Sequence, residues 1–135
     1  MINAGSFVLL FSAGVIFCDD SVHTTVLDPD GKYHISWELL REEQEIVFHL
    51  EVQTHGYVGL GLSPNGGMNG SDIVTGWIKD GKIYFQDRHG TGNRLPPVDR
   101  TQDWHVLSGN ENDTHTSLVF RRKLITCDQE DMEID

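Results

Sequence analysis

Between residues 33 and 124 segment after segment places apolar side chains at every second position, and no stretch repeats them at i, i+3, i+4 and i+7. That period belongs to strands with one dry face, so strands and not amphipathic helices must build the chain. Tyr33, Ile35, Trp37 and Leu39 share one face. After a polar turn at 41–44 the pattern resumes at Ile46, Phe48, Leu50 and Val52, which predicts an antiparallel hairpin. In 57–63 the apolar Val58, Leu60 and Leu62 alternate with Gly59 and Gly61, a strand whose bare face admits another backbone or a ring. Asp80-Gly81, between the segments 73–79 and 82–88, suits the positive φ values of a two-residue hairpin turn. A long connection, 89–103, carries Gly90, Gly92, Pro96 and Pro97 and leads to a last pair of strands, 104–108 and 114–124. Seven short strands with no helix to cover an open sheet predict an all-β, antiparallel β-sandwich in preference to a closed barrel. A chain of 135 residues has room for one such domain.

Lys and Arg total 10 against 21 Asp and Glu, a formal net charge of -11, and the one basic run is Arg121-Arg122-Lys123. A chain of that sign repels phosphate backbones, which excludes nucleic acid and anionic membrane surfaces as partners. Asp128, Glu130, Asp131, Glu133 and Asp135 form an acidic end expected to be solvated. No charged side chain occurs in 1–18, and the apolar run 7–17 is too short to span a bilayer. Residues 1–18 read as a secretory signal peptide processed after Cys18; a buried apolar strand or helix is the competing reading. The remainder divides into a lead-in 19–31, a domain 32–127 and the acidic end 128–135. Removal of 1–18 leaves Cys127 as the only cysteine, and a lone thiol in an oxidising compartment points to a partner elsewhere. The triplets Asn69-Gly70-Ser71 and Asn112-Asp113-Thr114 are glycosylation acceptors in form, in keeping with a secretory-pathway location, lumenal or extracellular.

The run Y-V-G-L-G-L-S-P-N-G-G-M-N-G-S-D-I-V-T-G-W at 57–77 resembles the signature of the DOMON domain, a secreted or lumenal β-sandwich. The segments D-R-H-G-T-G-N-R-L-P-P-V-D-R-T-Q-D-W-H-V-L at 87–107 and F-R-R-K-L-I-T-C-D at 120–128 resemble the dopamine β-hydroxylase-like monooxygenases in particular, and the likeness runs from Lys32 to Asp135. The resemblance implies an immunoglobulin-like sandwich lacking its last strand, because members of that family continue past the matching cysteine into a strand that closes the sheet. It also implies a place ahead of two copper-binding domains that use ascorbate and molecular oxygen to hydroxylate a substrate carbon. Those copper catalytic domains, or another protein chain, are then the expected partners, and Cys127 is expected to form a disulfide with a later segment. The histidines of this chain, His23, His34, His49, His55, His89, His105 and His115, include no adjacent pair and no H-x-H. Copper needs clustered imidazoles, so the chain reads as non-catalytic by itself, with no cofactor required and copper and ascorbate belonging to the parent enzyme.

Two sites are expected from the residues and the resemblance together. Asp72 ends the Gly-rich loop and Asp103 ends the Pro-rich connection; with the carbonyls of Ile73 and Arg88 they are candidates for a calcium-like structural cation, which takes oxygen ligands. Each aspartate capping its own loop is the competing reading. Some DOMON relatives hold a b-type haem between a methionine and a histidine, for which Met68 and His115 are the candidates here; Met68 as a filler of a core gap is the competing reading. Trp37, Trp77 and Trp104 offer stacking faces for a sugar or an amine, or simply core.

Overall fold

The computed structural model describes residues 6–11, 22–92, 95–127 and 131–134, so the expected processing point at Cys18 and the acidic residues Asp128, Glu130 and Asp135 lie outside the described residues. Among the described residues every regular element is a strand: β1 (Ser6–Phe11), β2 (His23–Val26), β3 (Tyr33–Leu40), β4 (Glu45–Val52), β5 (Val58–Ser63), β6 (Asp72–Lys79), β7 (Lys82–His89), β8 (His105–Glu111) and β9 (Thr116–Lys123). They form a four-stranded sheet, β1-β5-β6-β7, and a five-stranded sheet, β2-β3-β4-β9-β8, stacked as a sandwich. Pairing is antiparallel except for β1, which runs parallel to β5 from Ser6 opposite Val58 to Phe11 opposite Ser63.

The seven strands expected from alternation are present, and two are added. β1 comes from the apolar run assigned to the leader, and β2 from the lead-in 19–31. β2 was not legible because His23, Thr24 and Thr25 are polar and Val26 faces outward, leaving no apolar alternation to mark it. It pairs with the edge of β3, where His23 stacks on Trp37 at 5.5 Å.

The inward residues of both sheets meet in one core. Ile35, Phe48, Leu50, Leu118 and Phe120 come from the five-stranded sheet, Val58, Leu60 and Val74 from the other. Trp104, just before β8, joins the aromatic centre, 5.4 Å from Phe120 and 5.7 Å from Phe48 between ring centroids. Rings at these separations in tilted or edge-on arrangements add quadrupole attraction to their burial. The β6–β7 turn has φ of 53° at Asp80 and 73° at Gly81, as the dipeptide predicts.

Two local devices position the end of the sandwich where β6 begins. The β5–β6 loop is clasped to the end of β7: Gly70 N donates to Gly90 O at 2.9 Å and Gly90 N donates to Ser71 O at 2.8 Å. A Cβ at Gly90 would stand 1.6 Å from the Met68 carbonyl oxygen, so only glycine permits that approach. The C-terminal segment folds back as well. Ile134 N donates to Leu124 O at 3.0 Å, and Met132 and Ile134 pack on the core, which corrects the expectation of a wholly solvated acidic end.

Candidate functional site

β6 turns Asp72 inward at its first residue, in step with Val74 two positions later. Its Oδ1 accepts from Trp104 Nε1 at 2.9 Å, and its Oδ2 accepts from Arg122 Nη1 and from Met132 N at 3.1 Å. Arg122 is the inward member of the basic run: on β9 it continues the buried series Thr116, Leu118 and Phe120, is 1% exposed, and lies 4.9 Å from the Trp104 ring centroid. Its other donors go to carbonyls, with Nη2 reaching Met132 O and Nε reaching Lys123 O at 3.0 Å. The loop, the last strand and the C-terminal segment thus converge on one guanidinium.

Next to this pair stands Asp87, fully buried on β7. Its Oδ2 accepts from Asp103 N at 2.9 Å, while its Oδ1 is buried without a hydrogen-bond partner. Gln102 fixes the backbone there, accepting from Asp87 N at 2.7 Å and donating to Asp87 O at 3.1 Å. Both carboxylate oxygens of Asp131 and the Oδ2 of Asp103 are also buried without a hydrogen-bond partner. Asp72, Asp87 and Asp131 each bring one carboxylate oxygen within 4.8 Å of the other two.

Such crowding has an electrostatic cost that one guanidinium cannot offset. Burial raises the Asp72 carboxyl, with Arg122 acting against it. Burial, reinforced by the charges of Asp131 and Asp72, pushes Asp87 up to about 9. Burial raises Asp131 to about 7, with the charges of Asp72 and Asp103 adding to it. Either protons or a cation must compensate these oxygens. Calcium–oxygen distances are about 2.3–2.6 Å, so oxygens on opposite sides of one ion stand roughly 4.8 Å apart, which the carboxylate spacing accommodates.

The expected cation residues are partly assembled by the fold. Asp72 and Asp103 do reach one centre, and Ile73 and Arg88 are opposite each other in the β6–β7 ladder. The expectation for Ile73 and Arg88 concerned their carbonyls; the side chain that β7 sends inward there is the carboxylate of Asp87, the neighbour of Arg88. Asp87, Asp131 and Arg122 were missed. The first and last were recoverable from strand period, since Asp87 follows Ile83 and Phe85 and Arg122 follows Leu118 and Phe120 at intervals of two.

Met68 and His115 are not brought together. Met68 sits four residues before Asp72, at the Arg122 end of β9, whereas His115 immediately precedes Thr116 at the other end. The intervening strand spans roughly 20 Å at about 3.3 Å per residue, far beyond two axial ligands of one iron. The histidines stay dispersed: His34 Nε2 bonds Gly31 O at 2.9 Å, His55 Nε2 bonds Asn112 O at 2.9 Å, and His89 Nδ1 pairs with Asp99. The tryptophans also separate, Trp104 into the core, Trp37 against His23 and Trp77 onto the outer face against Tyr84. Cys127 is a free, exposed thiol, and Asn69 and Asn112 are exposed. Among the described residues no helix is long and apolar enough to cross a membrane.

Comparison with known proteins agrees with this architecture. The fold is similar to the cytochrome domain of Myriococcum thermophilum cellobiose dehydrogenase, with a TM-score of 0.53 and 23% identity over 78% of this chain and 62% of that one, a likeness of fold alone. The sequence is 44% identical to DBH-like monooxygenase protein 1 of Homo sapiens over 83% of this chain, and 46% identical to MOXD1 homolog 2 of Drosophila melanogaster over 76%. It is 32% identical to dopamine beta-hydroxylase of Rattus norvegicus over 81%. The aligned part makes up 18%, 13% and 18% of those relatives. Residues 29–135 match the DOMON domain. With most of its length matched, the chain belongs to the DOMON domain family.

Proposed function

We propose that this DOMON domain is a non-catalytic interaction or structural module of a secretory-pathway copper monooxygenase, locked by a calcium-like cation at Asp72, Asp87, Asp103 and Asp131. The observation that carries the reading is the set of buried carboxylate oxygens without hydrogen-bond partners around Asp87, with Arg122 the one compensating cation among the described residues. A hard cation held there would join the β5–β6 loop, the 89–103 connection and the C-terminal segment, which is a stabilising role. The kinship with DBH-like monooxygenases supports a parent enzyme that supplies copper and ascorbate chemistry in other domains, which are the partners expected for this one.

The test is thermal unfolding in calcium and in chelator. A ligand that binds only the folded state adds about 2.7 kcal/mol at a hundredfold excess over its Kd, so calcium should raise the melting temperature and Asp87→Asn should remove the rise. Identical melting curves in calcium and chelator would eliminate the cation. In the same preparation, copper and ascorbate should support no hydroxylation of phenethylamine-like substrates, and measurable turnover would overturn the non-catalytic reading. The rival reading, a b-type haem electron-transfer domain, draws on fold likeness; a haem absorption band in the purified domain would favour it over the structural module.

A further inference from the structure

The outer face of the four-stranded sheet holds a cavity of about 510 Å³ that the carboxylate centre does not use. Val74 and Gly76 face the core, Gly76 so closely that an added Cβ would meet Leu118 at 2.7 Å, and therefore Thr75 and Trp77 face outward. Register puts Tyr84 opposite Trp77 and Arg88 opposite Ile73, on that same outer face. Gly59, opposite Thr75 on β5, sends no side chain across it. Tyr57 and Met68 wall the cavity on one side and Leu95 and Pro96 of the 89–103 connection on another. Trp77 is held flat by Tyr84, with ring centroids 5.2 Å apart and planes 5° from parallel.

The lining is largely apolar, yet two polar groups in it are left over. Thr75 Oγ1 is buried without a hydrogen-bond partner, and so is Arg88 Nε. The remaining Arg88 donors reach neutral acceptors, Nη1 the Pro96 carbonyl and Nη2 the Gln86 Oε1 at 2.6 Å. No carboxylate among the described residues pairs with this guanidinium. An arginine cannot shed its charge, so a half-buried guanidinium without a counter-charge calls for an anion. In a chain of net charge -11 a bare anion gains little from one such residue; an anion that also fills the apolar volume gains both terms. The volume is that of an ordinary small-molecule site.

We propose that this cavity binds a small aromatic carboxylate, its ring against Trp77 and Tyr57 and its carboxylate accepting from Arg88 Nε and the Thr75 hydroxyl. The sign of the charge sets the specificity: an aromatic amine of the same size would bring its ammonium to the guanidinium and be rejected. The site is separate from the cation centre, which lies on the other face of the same two strands.

The test is calorimetric titration of the purified chain with 3-phenylpropionate and with phenethylamine, near-isosteric probes of opposite charge. The acid should bind and quench Trp77 fluorescence, and the amine should bind at least about tenfold more weakly, the scale of one charge-assisted hydrogen bond. Arg88→Met should abolish the preference for the acid. Thr75→Val, which keeps the shape and leaves the Arg88 contacts to Pro96 and Gln86 in place, should weaken the acid alone and serves as the second variant if Arg88→Met fails to fold. No binding of the acid, equal binding of the amine, or a preference unaffected by Thr75→Val and Arg88→Met would overturn the proposal.

Discussion

The two faces of the β6–β7 hairpin carry buried charge of opposite sign. On the inner face Asp72, Asp87 and Asp131 crowd beside the Arg122 guanidinium, and on the outer face Arg88 has no carboxylate partner among the described residues. Asp87 and Arg88 are neighbours in sequence, and the pleat alone sends them to opposite sides. Pairing them with each other would have neutralised both, but a strand does not let consecutive side chains meet. Each face is instead left with a charge that something other than its neighbour must satisfy, which is why both are candidate sites.

The largest effect expected on this comparison comes from removing the inner cation Arg122. Arg122→Met leaves Asp72 buried without its counter-charge and should cost about 3–5 kcal/mol, measured by urea unfolding. A loss under about 1 kcal/mol would mean that the inner carboxylates are compensated without Arg122.

Proton uptake sharpens the contrast next. In chelator, the folded chain holds protons on Asp87 and Asp131 that the unfolded chain releases near 3.8. The stability they contribute is complete below that value and is lost as pH rises through about 7 for Asp131 and about 9 for Asp87. Melting temperature in chelator should therefore fall between pH 5 and pH 9, and saturating calcium should flatten the slope. A rise with pH in chelator would contradict the inner-face account.

On the outer face the effects are smaller, because binding and not folding depends on it. Trp77→Ala should cost about 1 kcal/mol through the lost Tyr84 stack while eliminating 3-phenylpropionate binding. A collapse of the whole fold in this variant would assign Trp77 to structure alone. Smallest of all, Cys127→Ser should change stability by less than about 0.5 kcal/mol, and native Cys127 should react readily with thiol reagents, since it is a free, exposed thiol. Slow labelling would place Cys127 in a protected contact.

Alternation made the strands legible, and with them the inward positions of Asp72 and the turn at Asp80-Gly81. The acidic cluster was half legible, because Asp72 and Asp103 are loop-end residues whose closeness follows from strand order. Asp131 was not, since nothing in an acidic terminal stretch says that Met132 and Ile134 will draw it back over the core. Arg122 stood in a basic triplet that reads as a solvated run until the period of β9 is followed through it.

By itself the sequence determined the element type, the inward and outward sets of the strands that alternate and the absence of any adjacent or H-x-H histidine pair, because these follow from local period and residue chemistry. Tertiary structure alone decided which inward groups meet across the two sheets, joining Arg122 to Asp72 and Asp131 to Asp87. It also decided that Arg88 would lie at a cavity with no carboxylate among the described residues beside it. The physical reason is that strand period is a property of one chain segment, whereas electrostatic compensation at close range depends on which segments the packed sheets bring within a few ångströms of one another.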